Sequence, residues 1–349
     1  MKTTKVKRKL TQALLISLLF IFPLSFISCE EDNDGNDDNT ETTDTTQTHE
    51  NIIDSAYVVN EGNFNYTNAT ITLLETDSTV SVTETKHFFN NNGWKLGDIA
   101  QSLSFHNNKG FIVVNNSQKM EIVNKQTFES LGVIEGLTYP RQFLGINAEK
   151  GYLSDGNSAD GSNAHVLVID LNNYTITDSI EVGKGPESML KKDNKVFVAN
   201  FGGYTTGKTV SVIDTEKDTT IENINVSDLP ADLAQDANGD IWVYCKGTYN
   251  TSSYTYNAKL VKIGASSYET TTYDIGEISS FGNYLMAISP DKKTIYYTGP
   301  SGTYAMDINS ASLPTSPSIE TIPYGIDVHP ENGNIFCLVS GTGSGYAIR

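Results

Sequence analysis

The chain has 349 residues, with 24 lysines and arginines against 42 aspartates and glutamates, which gives a formal net charge of −18. Binding to nucleic-acid phosphates requires clustered cations, so this balance argues against a nucleic acid as partner. The stretch from Asn51 to Arg349 is long enough for a single large β domain that grows by repetition, and no second domain is required.

Residues 1–28 have the layout of a secretory signal. Five basic residues lie within the first nine positions, and a largely apolar run from Leu10 to Ile27 follows. The run leads into Phe26-Ile-Ser-Cys29, which resembles a bacterial lipobox except that Phe26 stands where leucine or valine is usual. We therefore predict cleavage before Cys29 and its lipidation. The alternative is an ordinary signal peptide with an incidental cysteine.

Residues 29–50 are composed almost wholly of aspartate, glutamate, asparagine, threonine and glycine. Such a segment cannot bury enough apolar surface to offset its chain entropy, so it is predicted to be a disordered tether. Its beginning, from Cys29 to Asp38, resembles the acidic export signal that Bacteroidota place after the lipidated cysteine. This resemblance implies a lipid-anchored protein on the outer face of the outer membrane, although an acidic run can also be a plain spacer.

One apolar strand motif recurs seven times in the rest of the chain. It begins at Tyr57, Phe111, Tyr152, Val196, Ile241, Ile295 and Ile335. From the second recurrence onward a strand with a turn signal precedes the motif, and an alternating strand and a more polar one follow it. A repeat of roughly 40 to 45 residues built in this way is typical of propellers with four-stranded blades. The sequence therefore predicts an all-β fold over residues 51–349, a seven-bladed β-propeller of four-stranded blades.

The last repeat is short. After Ile335 the sequence runs into a glycine- and serine-rich stretch and ends at Arg349, so the final blade is predicted to be truncated, lacking roughly 25 to 40 residues by repeat spacing. The alternative is a ring that tolerates the gap. Cys245 and Cys337 each lie in an apolar strand of non-adjacent repeats, which predicts buried free thiols instead of a disulfide.

Several phrases together resemble one family. They are Val59-Asn-Glu-Gly-Asn-Phe64, Leu96-Gly-Asp-Ile-Ala-Gln-Ser102, Val113-Val-Asn-Asn-Ser117 with Glu121-Ile-Val123, Leu137-Thr-Tyr-Pro-Arg141, and Val198-Ala-Asn200 with Val210-Ser-Val-Ile-Asp214. Over Ser55 to about Phe336 the chain is similar to the Bacteroidota surface-lipoprotein branch of YncE-like (YVTN-type) seven-bladed propellers. The resemblance to its BtuG-like members implies capture of cobalamin or another corrinoid and delivery to a TonB-dependent outer-membrane transporter. Since other members are encoded beside other transporters, it implies surface ligand capture more strongly than it implies a corrinoid.

In such a propeller the loops between second and third strands, and the links between blades, emerge on one face, where binding sites collect. The predicted ligand-binding residues on this face are Asn60, Glu61, Asn63, Phe64, Trp94, Asp98, Asn115, Asn116, Tyr139, Arg141, Asn157, Asn200, Phe201, Lys246 and Tyr249. Aromatic faces can cover rings and amides can bond peripheral carboxamides or hydroxyls. The alternative for each asparagine is a turn-forming role. An insertion at 246–257 contains three tyrosines and is either a loop that binds a ligand or partner or a solvated loop without a binding role.

Catalysis finds little support in the sequence. The five histidines are scattered, and neither a metal-binding spacing nor a nucleophile motif is present, so no catalytic residue, metal or cofactor is expected. We predict a binding protein that captures a nutrient and passes it to an outer-membrane transporter. The alternatives are a surface propeller that binds glycan or protein, and a propeller hydrolase or lyase that gathers carboxylates such as Asp98 and Glu187 from different blades.

Overall fold

A computed structural model describes residues 55–76, 81–156, 162–279 and 285–339. These residues form 24 strands and one short helix, and all strand pairings among them are antiparallel. The predictions about Cys29, about the tether and about Asn157 fall outside the described residues. No described helix is long and apolar enough to span a membrane.

Four sheets have four strands each, in the order in which the strands follow along the chain. The first consists of β4 (Ala100–His106), β5 (Lys109–Val114), β6 (Lys119–Asn124) and β7 (Ser130–Glu135). The second consists of β8 (Pro140–Gly145), β9 (Lys150–Asp155), β10 (His165–Asp170) and β11 (Thr175–Glu181). The third consists of β12 (Pro186–Lys192), β13 (Lys195–Asn200), β14 (Thr209–Asp214) and β15 (Thr219–Asn225). The fourth consists of β16 (Pro230–Gln235), β17 (Ile241–Asn250), β18 (Thr255–Ile263) and β19 (Thr270–Ser279).

Three smaller sheets lie at the two ends of the described chain. At the beginning are β1 (Ser55–Asn60), β2 (Thr70–Glu75) and β3 (Ser81–Glu84), followed by the helix α1 (His87–Asn92). At the end are β20 (Met286–Ile288), β21 (Thr294–Gly299) and β22 (Gly302–Asp307), then the pair β23 (Gly325–Val328) and β24 (Ile335–Leu338).

The predicted all-β propeller is confirmed, but its predicted number of blades is wrong. The described residues form six blades of three or four strands, and the seventh sheet is only the two-stranded hairpin of β23 and β24. The seventh recurrence of the apolar motif, at Ile335, is therefore a real strand, and within residues 285–339 it has only β23 as a partner. The motif marks only the strands that are buried on both faces. It gives no information about the outer strands that complete a blade. The prediction of a truncated final blade rests partly on residues 340–349, outside the described ranges.

The hydrophobic core lies between consecutive sheets. Five buried clusters fill the five interfaces from the first three-stranded sheet to the second one, for example Phe111 stacked on Phe143 with ring centroids 3.8 Å apart. The second strand of each complete blade is covered on both faces, and Phe111 to Val114 are fully buried. This explains why those strands are continuous apolar runs, whereas the outer strands β11 and β15 are mostly exposed and polar.

The first strands of successive sheets contact one another, β4 with β8, β8 with β12, and so on to β20 and β23. They therefore surround the propeller axis, as inner strands do. Side chains join them from blade to blade: Ser102 Oγ donates to the Arg141 carbonyl at 2.9 Å, and Ser188 Oγ donates to Asp232 Oδ1 at 3.3 Å. These bonds set the relative positions of residues that face the axis.

Cys245 and Cys337 are buried free thiols, as predicted. They lie on β17 and β24, the second strands of separate sheets. The tyrosine-rich insertion lengthens the β17–β18 hairpin, because Thr248 pairs with Asn257 beyond a register shift. It is an extended hairpin with an exposed tip and not an irregular loop.

Candidate functional site

The register places one end of every complete blade at the same face of the propeller. Pro140, the first residue of β8, pairs with Asp155 at the end of β9, and Asp155 pairs with His165 at the start of β10. The link into a blade and its second-to-third-strand loop are therefore neighbours. The same arrangement recurs where Pro186 pairs with Asn200, so the two kinds of loop lie at the same end of these blades.

Two adjoining cavities, of about 450 and 320 Å³, open on this face and share Arg141, Glu187 and Phe201 in their walls. We call them together the mouth cavity. The larger part is lined by Tyr139, Arg141, Gly156, Gly185, Pro186, Glu187, Phe201, Gly203, Tyr204, Thr205, Leu229, Lys246 and Tyr256. The smaller part is lined by Glu61, Arg141, Glu187, Phe201, Ala231, Asp232, Leu285 and Tyr324.

An ion pair between neighbouring inner strands divides the two parts. The Arg141 Nε lies 2.8 Å from both carboxylate oxygens of Glu187, and the guanidinium also donates through Nη2 to Glu187 and through Nη1 to Gln101 Oε1 at 2.8 Å. Both paired side chains keep about a quarter of their surface exposed, at 23% and 24%. The pair is therefore held in a defined geometry while it remains open to the cavity.

Two tyrosines form one wall of the larger part. The Tyr139 hydroxyl donates to the Tyr204 hydroxyl at 2.9 Å, and the Tyr139 backbone N–H donates to Asp155. Partial burial and the bond to Tyr204 raise the pKa of Tyr139 to about 12, so its hydroxyl stays protonated. Tyr204 is 79% exposed, so its ring is accessible to a ligand at the rim of the cavity.

A lysine and a third tyrosine form the opposite wall. The Lys246 ammonium lies 4.1 Å from the centroid of the Tyr256 ring, a cation–π distance. Burial lowers the pKa of Lys246 to about 8, so the group is mostly charged at neutral pH but is close to titration. The wall therefore offers a positive charge directly above an aromatic face.

Glycine backbone lines the space between these walls. Gly185 has a φ of +56°, and a Cβ there would lie 2.2 Å from the Gly203 nitrogen. The Gly185 carbonyl also accepts from the Phe201 N–H at 2.9 Å. Two loops from one blade thus approach each other more closely than any side chain would allow, and their peptide groups border the cavity.

Carboxylates lie at the bottom and the far side of the smaller part. Asp232 accepts from the backbone N–H groups of Leu233 and Met286 at 2.9 and 3.1 Å, and burial raises its pKa to about 6. Glu61 accepts from the Tyr324 hydroxyl at 2.7 Å. This bond joins the first sheet to the residue before β23, so the cavity wall includes both ends of the described chain.

The structure brings five of the predicted site residues together. Glu61, Tyr139, Arg141, Phe201 and Lys246 all line the mouth cavity. Tyr249 lies beside it, with its ring centroid 4.8 Å from that of Tyr256.

Three predicted asparagines have internal bonding roles. Asn60 Nδ2 donates to Thr72 Oγ1 at 2.9 Å, Asn115 Nδ2 donates to the Pro140 carbonyl at 2.9 Å, and the fully buried Asn200 donates to Ser211 Oγ at 2.9 Å. Their amides stabilise the strand ends that border the face and line neither part of the cavity.

The remaining predicted residues lie in the loops of the first two sheets. Asp98 accepts from Asn116 Nδ2 at 2.6 Å and from the Asn65 N–H at 2.7 Å. Asn63 and Phe64 are exposed in the β1–β2 loop, and Trp94 stands edge-on to Phe88 with centroids 6.1 Å apart. Neither these side chains nor Asp98 and Asn116 line the mouth cavity.

Sequence reasoning did not place Glu187, Tyr204, Asp232 and Tyr324 in the binding site, and it included Tyr256 only through the insertion at 246–257, whose role it left open. The sequence contained a signal for Glu187, because three inner strands begin with a proline followed by the residue in question: Pro140-Arg141, Pro186-Glu187 and Pro230-Ala231. The residue after each proline faces the mouth cavity. Tyr204 and Tyr324 carry no comparable signal, since the residues that they contact, Tyr139 and Glu61, come from other blades. In the described ranges no three His, Cys, Asp or Glu side chains converge as a metal site would require.

Comparison with known proteins gives a family and a fold. The family model described as "Domain of unknown function (DUF5074)" matches residues 54–348. No protein of curated function matches the sequence.

Among solved structures the chain is similar to other propellers. A putative 6-phosphogluconolactonase from Bacteroides uniformis has a TM-score of 0.54 and 11% identity, covering 77% of this chain and 83% of that one. The Cps50 (Swd1) β-propeller domain of Myceliophteria thermophila has a TM-score of 0.55 and 9% identity, covering 78% and 87%. A quinonprotein alcohol dehydrogenase-like protein from Bacteroides thetaiotaomicron has a TM-score of 0.52 and 13% identity, covering 81% and 82%. At these identities the likeness concerns the fold alone.

Proposed function

We propose that this chain, which belongs to the DUF5074 family, is a surface-binding propeller that captures a nutrient ligand in the mouth cavity. The single observation that carries the proposal is the convergence of Glu61, Tyr139, Arg141, Phe201 and Lys246, from separate blades, on one open cavity. Ligand pockets typically occupy roughly 300–1,000 Å³ and combine apolar walls with a few placed polar groups. Both parts of the mouth cavity fall within this range of volume, and their lining combines aromatic rings with charged, hydroxyl and peptide groups.

The chemistry of the lining supports a large, mostly neutral, polar ligand. Arg141 is paired with Glu187, so the positive charge of the guanidinium is neutralised within the protein. The tyrosine hydroxyls and the glycine-bordered peptide groups suit carboxamides or hydroxyls, while the faces of Phe201 and Tyr204 suit a ring. Binding needs no covalent step, and we propose that the protein is not an enzyme.

The specific ligand that we propose is a corrinoid such as cobalamin. It is a large ring with peripheral carboxamides, which is the chemistry that this lining would recognise. The support for this choice is the sequence resemblance to BtuG-like surface lipoproteins. By the same resemblance, we propose that lipidated Cys29 anchors the protein at the outer face of the outer membrane and that the ligand passes to a TonB-dependent transporter.

Titration with cyanocobalamin by isothermal calorimetry tests the proposal. We expect binding by the purified protein, and we expect Tyr204→Ala and Lys246→Met each to weaken it by about tenfold, the effect of losing one central interface contact of roughly 1–2 kcal/mol. Tyr204 is exposed, so its replacement leaves the fold intact.

Tyr254→Ala is the matched control for Tyr204→Ala. Tyr254 is likewise exposed, at 67%, but lies at the tip of the β17–β18 hairpin and outside the cavity lining. Absence of heat with cyanocobalamin would rule out the corrinoid. Equal weakening by both tyrosine variants would remove the mouth cavity as the site.

A second candidate function is recognition of a glycan or a protein by the same face. The exposed aromatic side chains favour it, since Tyr66 is 71% exposed and Phe64 is 63% exposed in the β1–β2 loop. Exposed tyrosine and phenylalanine are enriched where proteins meet partners. A glycan array probed with the purified protein distinguishes this candidate, because a signal that Tyr66→Ala abolishes and Lys246→Met leaves unchanged would favour it.

A further inference from the structure

A separate cavity of about 270 Å³ lies between β2, the helix α1 and the link that follows the helix. It is lined by Thr67, Asn68, Ala69, Thr70, Ile71, Lys86, Phe88, Phe89, Lys95 and Leu96. We call it the side cavity. It shares no lining residue with either part of the mouth cavity, so it is a distinct place for a ligand.

The floor of the side cavity is apolar. Ile71, Phe88 and Leu96 belong to the buried cluster between the first two sheets and are at most 2% exposed. Phe89 forms part of the rim and is 44% exposed. An apolar ligand group that enters here extends an existing hydrophobic core, which is favourable in proportion to the area removed from water.

Two lysines flank this floor, one at each end of the helix. Lys86 directly precedes α1, and Lys95 follows its cap. Gly93 makes that turn possible, because its φ of +79° ends the helix and its N–H donates to the Phe89 carbonyl at 2.7 Å. The chain therefore returns across the helix end and presents the second lysine at the same cavity as the first.

Within the described ranges neither lysine side chain forms an ion pair or a hydrogen bond. Both ammonium groups are therefore available to a ligand. Two cations beside an apolar floor are complementary to a molecule that carries a negative charge at one end and an apolar group at the other.

We propose that the side cavity binds a small amphiphilic anion, a carboxylate attached to a short alkyl chain or a single ring. The volume of about 270 Å³ lies just below the usual range for ligand pockets, roughly 300–1,000 Å³, so the cavity can hold only a small molecule. The apolar part lies against Phe89, above the floor of Phe88 and Leu96, and the carboxylate lies between Lys86 and Lys95. This binding is independent of the ligand proposed for the mouth cavity.

Calorimetric titration of the purified protein with octanoate and with 3-phenylpropionate tests this assignment. We expect at least one of them to bind, and its neutral amide to bind about fivefold more weakly, the factor that corresponds to one good exposed ion pair. The double variant Lys86→Gln/Lys95→Gln should show a similar or larger loss for the carboxylate and no loss for the amide. Phe89→Ser should weaken both.

Lys217→Gln is the control, because Lys217 is 71% exposed and pairs with Asp214 far from this cavity in sequence. It should leave binding unchanged. Thermal unfolding of all variants should match the parent, since Lys86, Phe89 and Lys95 are exposed. Failure of both carboxylates to bind overturns the proposal, and so does equal binding of carboxylate and amide or an unchanged affinity in the double lysine variant.

Discussion

Separating the Arg141–Glu187 pair should destabilise the propeller measurably. Glu187→Gln keeps the shape of the side chain and one acceptor oxygen but removes its charge, so the guanidinium loses the carboxylate that it pairs with. A cation that has lost its carboxylate in a partly buried site bears the cost of its desolvation without the compensating attraction.

The magnitude follows from the exposure of the pair. Exposed ion pairs contribute about 0.2–1 kcal/mol, and removing one partner of a fully buried pair costs about 3–5 kcal/mol. With 23% and 24% of the two side chains exposed, we expect a loss of about 2 kcal/mol, between those limits. At about 2–4 °C per kcal/mol for large domains, the melting midpoint should fall by about 4–8 °C.

A double-mutant cycle separates the pair from other effects. Thermal unfolding followed by circular dichroism is compared for Arg141→Met, Glu187→Leu and the double variant. We expect the double variant to lose less stability than the sum of the single ones by at least about 1 kcal/mol, because two apolar side chains leave no unpaired charge.

The pair of Lys217 and Asp214, 3.2 Å apart, is the control for this cycle, because its cation is 71% exposed and therefore screened by water. Its coupling should be below about 0.5 kcal/mol. If the losses from Arg141 and Glu187 add within about 0.3 kcal/mol, the two side chains are energetically independent, and the reasoning from their geometry is refuted.

Three further predictions concern the borders of the mouth cavity. Burial raises the pKa of Asp232 to about 6, so the folded state binds this proton more tightly than the unfolded state, and stability falls as the pH rises from about 4 to 6. Asp232→Asn should make the melting midpoint depend less on pH over that range. If the parent and the variant show the same dependence of the melting midpoint on pH, the assignment is contradicted. Gly185→Ala should destabilise the protein more than Gly136→Ala. Both glycines have positive φ, but only at Gly185 would the added Cβ lie 2.2 Å from a backbone atom. Equal melting midpoints of the two variants in thermal unfolding would show that the close approach is not required. Tyr324→Phe removes the hydroxyl that donates to Glu61 at 2.7 Å, so it should cost about 0.5–1.5 kcal/mol and speed amide hydrogen exchange in β23 and β24, whereas exchange equal to the parent's would contradict a role in joining the two ends.

The strands were predictable because their burial pattern is local. A second strand such as Phe111 to Val114 is covered on both faces, so its apolar run appears directly in the sequence. The tight turns between strands, such as Asn238-Gly239 with its positive φ, are likewise marked by residue type. The number of blades was not predictable from this pattern, because the motif does not report whether outer strands are present.

Part of the candidate site was predictable because loop position follows from strand order. Arg141 and Phe201 were identified from their place after or before a strand, and both line the mouth cavity. Asn200 has the same kind of position, but its amide is buried inside its own blade. The position of a residue in the sequence does not determine whether its side chain points along the loop face or back into the sheet.

The amino-acid sequence by itself determined the all-β repeat, the buried second strands, the two free thiols and the loop face, because each depends on local periodicity and residue type. Only the tertiary structure decided which loops contact one another. It placed Arg141 beside Glu187 of the next inner strand, and it placed Lys86 and Lys95 at one cavity. The physical reason is that contacts between blades depend on the angle and stagger of whole sheets, which many side chains set together and no short stretch of sequence encodes.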